Sequence, residues 1–191
     1  MSKNEVEKAI IGKSAPPVGV VPSVALINPK NAHNVARVVR LASCYGLKQV
    51  WWTGNRVSLT PKKGQRLPRE ERMRGYQDVE MIHFDNVFDQ FSNVVPVAIE
   101  VRKNSESLFD FEHPENAIYV FGPEDGSIPK VYLPFCHRFV VIPSRHCLNL
   151  STAVSTVLYD REIKRYWNGE IESITPGEFE NRGIQDVPVY S

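Results

Sequence analysis

The stretch IPSRHCLNLSTAVSTVLYDR, residues 142–161, decides how this chain is read. It begins where an apolar strand is closed by Pro143, crosses a short polar loop and opens a helix at Leu-Asn-Leu-Ser. Leu150, Ala153, Val154, Val157 and Leu158 recur at helical spacing, so the helix has one apolar face to bury. A polar loop and helix mouth at the end of a strand form the place where open α/β proteins lodge ligands. Two other segments look built for the same pocket: NPKNAHNVARVVRLASCYGL (residues 28–47) and FGPEDGSIP (residues 121–129).

Outward from these segments, the pattern predicts short buried strands alternating with helices. The strands are Ser23 to Ile27, Gln49 to Thr53, Val79 to His83, Val95 to Ile99, Ala117 to Phe121 and Phe139 to Ile142. The helices are Asn34 to Tyr45, Asn86 to Phe91 and Asn149 to Tyr166. In the first helix Val35, Val38, Val39 and Ala42 share a face, and Gly46 supplies a C-terminal stop. The fold class expected is α/β: a mostly parallel sheet with helices on both faces. Residues 1–21 read as a flexible extension, 22–168 as one domain and 169–191 as a tail.

The chain of 191 residues can bury a substantial core, and its 42% hydrophobic and 24% charged content is that of an ordinary globular domain. A net charge of +1 excludes a broadly basic polyanion binder but says nothing of local patches. One patch stands out. From Pro61 to Arg74 there are Lys62, Lys63, Arg66, Arg69, Arg72 and Arg74 against Glu70 and Glu71, a local charge of +4. Trp51, Trp52 and Tyr76 flank it, as in a phosphate-contacting surface with stacking groups nearby. The charged start MSKNEVEKAI lacks a signal-peptide core, and no apolar run approaches ~18 residues, so a cytoplasmic chain with no membrane association is expected. Cys44, Cys136 and Cys147 lack disulfide spacing and read as buried or half-buried thiols.

With these residues in view, the chain resembles the SPOUT superfamily, specifically the SpoU/TrmH group of RNA 2′-O-methyltransferases. The likeness rests on three ordered segments: Asn34 with Arg40 on the first helix, Gly122 with Glu124 in a Gly-x-Glu turn, and CLNLS (147–151) after Ile142-Pro143. Leu158, Tyr159 and Asp160 match the family's closing Leu-Tyr-acidic step. The resemblance implies a C-terminal trefoil knot, which composition and periodicity do not show and which the rarity of knots argues against. It also implies a bent S-adenosylmethionine held by the knotted loops, an RNA substrate with tRNA slightly favoured over rRNA, and a homodimer whose active sites draw on both subunits.

By that resemblance Arg40, Asn34, Glu124 and Asn149 are catalytic or orienting groups, and Glu100, Gly122, Ile142, Cys147 and Leu148 line the cofactor pocket. Arg37 joins Lys62, Lys63 and Arg66 as RNA contacts. A guanidinium is a poor base in water, so Arg40 either clamps the target phosphate and polarises the 2′-hydroxyl or acts as base after strong desolvation. Glu124 is expected to hold Arg40 or a polar group of the cofactor. Glu100 has an alternative as a surface carboxylate paired with Arg102 or Lys103. Methyl transfer needs no metal, and Cys136-His137 and His146-Cys147 lack zinc-ligand spacing. Two departures stand against the family pattern: Cys147 where a serine is usual, and Gly126 with Ser127 where the second glycine normally falls one residue later. They favour the alternative of a non-catalytic RNA-binding member; a further alternative, methylation of a base nitrogen, is opposed by the third segment.

Overall fold

The computed structural model describes residues 21–57, 78–83 and 93–173. The basic segment, the helix predicted from Asn86 to Phe91, most of the N-terminal extension and most of the tail lie outside the described residues. Among the described residues the chain forms β1 (Ser23–Leu26), α1 (Ala32–Cys44), β2 (Gln49–Trp52), β3 (Glu80–His83), β4 (Val95–Ile99), β5 (Glu106–Ser107), β6 (Ala117–Phe121), β7 (Arg138–Val141) and α2 (Leu150–Trp167). The strands make one 7-stranded sheet in the order β3-β2-β1-β6-β4-β7-β5, and every pairing is parallel.

Because both faces of the central strands are covered, their sequences are apolar without alternation. Val24 and Leu26 of β1, Tyr119 and Phe121 of β6 and Val140 of β7 pack with Val35, Val38 and Val39 of α1 and Val154, Val157 and Leu158 of α2. Ala25, Ala98, Ile118 and Val120 face the other way and meet Ile128, Cys136, Tyr132 and Leu133. Helices were expected on both faces. Among the described residues α1 and α2 share one face, and the segment Ile128–Cys136, with its 3₁₀ turn Leu133–Phe135, covers the other.

Both helices are closed by local chemistry. The Asn31 side chain caps α1 by accepting from His33 N at 2.9 Å, and Gly46 (φ 73°) ends it in the left-handed region. Asn149 caps α2 by accepting from Ser151 N at 3.0 Å, while Lys164 and Arg165 complement the dipole at its far end.

Strand β5 was not predicted, and its two residues explain why: no apolar run marks them. It is fixed from outside. The Arg138 guanidinium forks onto Glu106, Nε to Oε1 at 2.6 Å, and Leu108 and Phe111 just beyond are buried. Strand β7 therefore lies between β4 and β5. Ile99 and Glu106 both register with Val140, so the link 100–105 arches across the C-terminal end of β7.

A buried polar chain ties β6 to α2. Arg161, only 4% exposed, donates to Pro114 O (2.7 Å), Glu115 O (3.1 Å) and Tyr119 Oη (3.1 Å). Tyr119 Oη lies 2.7 Å from His113 Nδ1, and His113 Nε2 lies 2.8 Å from Asp160 Oδ2, which also accepts from Lys164. A carboxylate can only accept, so the His113 proton sits on Nε2 and Tyr119 donates to Nδ1. Burial pushes the His113 pKa down and the Tyr119 pKa up to about 12. With a depressed folded-state pKa, the unfolded chain takes up the His113 proton first as pH falls. Stability is thus expected to decline below about pH 6.5, by up to about 1.4 kcal/mol per pH unit for this one proton. Urea unfolding at pH 5.5 and 7.5 checks this: His113→Gln should shrink the difference, and an unchanged difference would refute the assignment.

Candidate active site

The C-terminal ends of β4, β6 and β7 enclose a cavity of about 410 Å³, within the usual range for small-molecule sites. Ile99 and Glu100 come from β4, Phe121 and Gly122 from β6, and Val141 and Ile142 from β7; Cys147, Leu148 and Leu150 close it from the loop and helix mouth. All five residues assigned to the cofactor pocket, Glu100, Gly122, Ile142, Cys147 and Leu148, stand in this wall.

The turn after β6 shapes the cavity. A Cβ on Gly122 would lie 2.9 Å from Ile128 N and 3.2 Å from Ser127 C, so the glycine is required by the turn's return onto itself. Glu100 accepts from Ile128 N at 2.8 Å, so its partner is the turn rather than Arg102 or Lys103.

Glu124 anchors the same turn to α1. Its carboxylate accepts from Lys30 N (2.6 Å), Asn31 N (3.1 Å) and Asn34 Nδ2 (2.9 Å). Helix α1 has no acidic residue in its first turn, and Glu124 supplies that charge from 90 residues away. Burial opposes the charged form, but these donors outweigh it and hold the carboxyl below its usual range. Asn34 in turn accepts from Asn149 Nδ2 at 3.2 Å, and Asn149 Oδ1 accepts from Ser151 Oγ at 2.8 Å. One hydrogen-bonded line, Glu124–Asn34–Asn149–Ser151, therefore joins the three segments that the sequence singled out.

Other residues stand apart. Of the two partners expected for Glu124, Arg40 or a polar group of the cofactor, Arg40 is not engaged: Glu124 holds the N-terminus of α1, and Arg40 is half-buried, six residues beyond Asn34 and outside the cavity wall. Among the described residues no hydrogen bond or ion pair engages its guanidinium. Arg37 is exposed on the same helix. Lys62, Lys63 and Arg66 lie outside the described residues. Of the thiols, Cys136 is buried and its pKa is pushed up to about 11 by that burial, whereas Cys44 and Cys147 are exposed, against expectation. Cys147 borders the cavity as an accessible group.

Sequence reasoning missed one cluster. Arg56 donates to both carboxylate oxygens of Asp125, at 3.0 and 2.9 Å, and Lys30 Nζ approaches the same group at 3.4 Å. No local pattern signals a pair 69 residues apart.

The fold has clear relatives. The chain aligns over 76% of its length with the SpoU methyltransferase AviRb from Streptomyces viridochromogenes in complex with the cofactor AdoMet (17% identity, TM-score 0.63), and spans 61% of that protein. It aligns over 92% of its length with the A. aeolicus TrmH/SpoU tRNA modifying enzyme, covering 89% of it (18% identity, TM-score 0.64). A third structure, described as showing the 2-OH methylation of C/U34 on tRNA, is covered over 96% by 77% of this chain (22% identity, TM-score 0.60). At these identities the likeness is one of fold. Among curated proteins none matches the sequence. The profile of one family does match, from residue 22 to residue 159, which takes in β1, the Glu124 turn, Asn149 and most of α2. This chain belongs to the SpoU rRNA Methylase family.

Proposed function

We propose that the chain is an S-adenosylmethionine-dependent RNA methyltransferase that modifies a ribose 2′-hydroxyl. The observation that carries the reading is the Glu124–Asn34–Asn149 line set beside a cavity at the strand ends. The cavity fits the cofactor in kind: Ile99, Ile142, Leu148 and Leu150 offer apolar walls, and strand-end backbone offers hydrogen bonds. Glu100, Gly122, Ile142, Cys147 and Leu148 would hold the group. Once bound it supplies an electrophilic methyl on a sulfonium.

The remaining work falls to the chain. Asn34, Glu124 and Asn149 orient the reacting groups by fixing α1 against the turn and the mouth of α2. Arg40 clamps the phosphate beside the target ribose and favours the deprotonated 2′-oxygen. Arg37, Lys62, Lys63 and Arg66 contact RNA phosphates. A tRNA substrate is favoured because the A. aeolicus tRNA modifying enzyme and the structure on C/U34 of tRNA are covered over 89% and 96% of their lengths.

A second copy completes the site. Tyr45, Phe109, Pro143, Tyr159 and Ile163 line an apolar groove that shares Ile142 with the donor cavity, and Phe109 and Tyr159 are 73% and 58% exposed. That groove suits a homodimer, and Arg40's place outside its own cavity wall suits a site that draws on both copies. The arch 100–105 over the end of β7 supports a trefoil knot, with the segment after Val141 threaded beneath it. Residues 22–168 would form this methyltransferase domain, and 1–21 and 169–191 the extension and tail, in a cytoplasmic protein. Among the described residues no helix is long and apolar enough to cross a membrane.

Two measurements test the reading. Calorimetry on the purified chain should show S-adenosylmethionine binding, and mapping 2′-O-methylation across total RNA should show one site lost when the gene is deleted. Cofactor binding with an unchanged map would favour base methylation or a non-catalytic role, and no binding would reject the assignment.

A further inference from the structure

The turn that follows β6 has two sides. Gly122, Pro123, Glu124, Gly126 and Ser127 face the cavity, whereas Asp125 is absent from its wall. Asp125 instead meets the Arg56 fork and Lys30. The turn is thus pinned at three points: Glu124 to α1, Ile128 N to Glu100, and Asp125 to the loop after β2.

The loop that carries Arg56 is itself held firmly. Asn28 N donates to Thr53 Oγ1 at 3.0 Å, and any Cβ on Gly54 (φ 78°) would overlap the Asn28 side chain. Gly54 O lies 2.6 Å from His83 Nε2, and the His83 ring stacks on Trp52 with centroids 4.0 Å apart. Val57, one residue beyond Arg56, is buried. The Arg56 side chain is 28% exposed against 61% for Lys30, so the arginine is the ordered partner and the lysine the loose one. A planar fork on two oxygens fixes orientation as a point charge does not. The neighbouring guanidinium also keeps the Asp125 carboxyl below its usual range.

We infer that Arg56 is a positioning residue for methyl transfer: through Asp125 it sets the turn that walls the donor cavity and carries Glu124. It acts on the cofactor side without touching RNA or cofactor. The inference rests on the proposed methyltransferase reading for its effect on binding, but not for its effect on the turn.

The test uses the full chain with Arg56→Ala, Asp125→Ala, the double variant, and the exchanged pair Arg56→Asp with Asp125→Arg. Each single variant should weaken S-adenosylmethionine binding about three- to fivefold, the scale of a well-formed but partly exposed ion pair. The double variant should be no worse than either single one, because both remove the same contact. The exchanged pair should recover part of the loss, and affinity for tRNA should stay within about twofold. Hydrogen exchange on the ligand-free protein should show the amides of residues 124–128 opening faster in both single variants, with thermal midpoints confirming folded protein. Unchanged exchange and unchanged cofactor affinity would overturn the inference. So would Arg56→Ala weakening RNA binding while Asp125→Ala alters nothing, because Arg56 would then be a phosphate contact. If the unmutated chain bound no cofactor, the methyltransferase reading would fall, and the exchange data would still decide the clasp.

Discussion

Arg40→Ala is expected to lower methyl transfer by about 10²–10⁴-fold, the range for losing one group that stabilises charge or moves a proton in the transition state. Binding of S-adenosylmethionine should change by no more than about twofold, the pattern of an interaction made in the transition state only. The reason is positional. Arg40 lies on α1 outside the wall of the donor cavity, with no partner among the described residues, so it neither supports the pocket nor neutralises a buried carboxylate. Arg40→Lys should rescue poorly, because an ammonium cannot span a phosphate as a guanidinium does. Single-turnover transfer from labelled cofactor, paired with calorimetry, reads both quantities. Near-normal turnover in Arg40→Ala would remove this residue from the mechanism.

Gly122→Val should abolish most cofactor binding, a loss of at least about tenfold, and destabilise the chain by about 1–3 kcal/mol through overpacking. The atoms in the way are mostly backbone: Ile128 N at 2.9 Å and Ser127 C at 3.2 Å, with Ile128 Cγ1 at 3.3 Å. Ile128 is 3% exposed and its N–H is committed to Glu100, so the strain cannot be relieved by rotating a free side chain. The turn must move, and the cavity wall moves with it. Gly122→Ala should act in the same direction and less strongly. Calorimetry with urea unfolding measures both effects; full cofactor affinity in a folded Gly122→Val protein would show that the turn does not shape the pocket.

Much of the sheet was legible because buried parallel strands announce themselves as short apolar runs. Val95–Ile99 and Ala117–Phe121 match their expected ends, and the other expected strands differ by a residue at one or both ends. Helix α1 starts at Ala32, two residues before its expected start at Asn34, because the cap is Asn31. Strand β5 was illegible, since a fork from Arg138 and a register on Val140 hold it, not its own composition. The same holds for the second face of the sheet, where Ile128, Tyr132 and Leu133 cover the strands without a helical period.

The site divides along similar lines. The assigned cavity residues came by resemblance, Gly122, Ile142, Cys147 and Leu148 from two of the three segments and Glu100 from the end of β4, and each follows a strand whose end the fold brings to the cavity. The bonding among them was not legible. Glu124 serves the start of α1, across 90 residues of chain, and Asp125 answers to Arg56 across 69. Such pairs depend on which strands become neighbours, and a single sequence does not display that order.

The position of β7 bears on how a nascent chain becomes an enzyme. Among the described strands β5 pairs with β7 alone, so until residues 138–141 leave the ribosome β5 has no described strand beside it and β4 keeps an open edge. The late-arriving segment takes its place between two strands that precede it in the chain, a pairing of high contact order that folds slowly and exposes unpaired backbone meanwhile. Ile142, Cys147 and Leu148 follow directly behind it, so the donor pocket is the last part of the described domain to exist. A chain interrupted before that point carries Ile99, Glu100, Phe121 and Gly122 but lacks the walls that the end of β7 and the mouth of α2 supply.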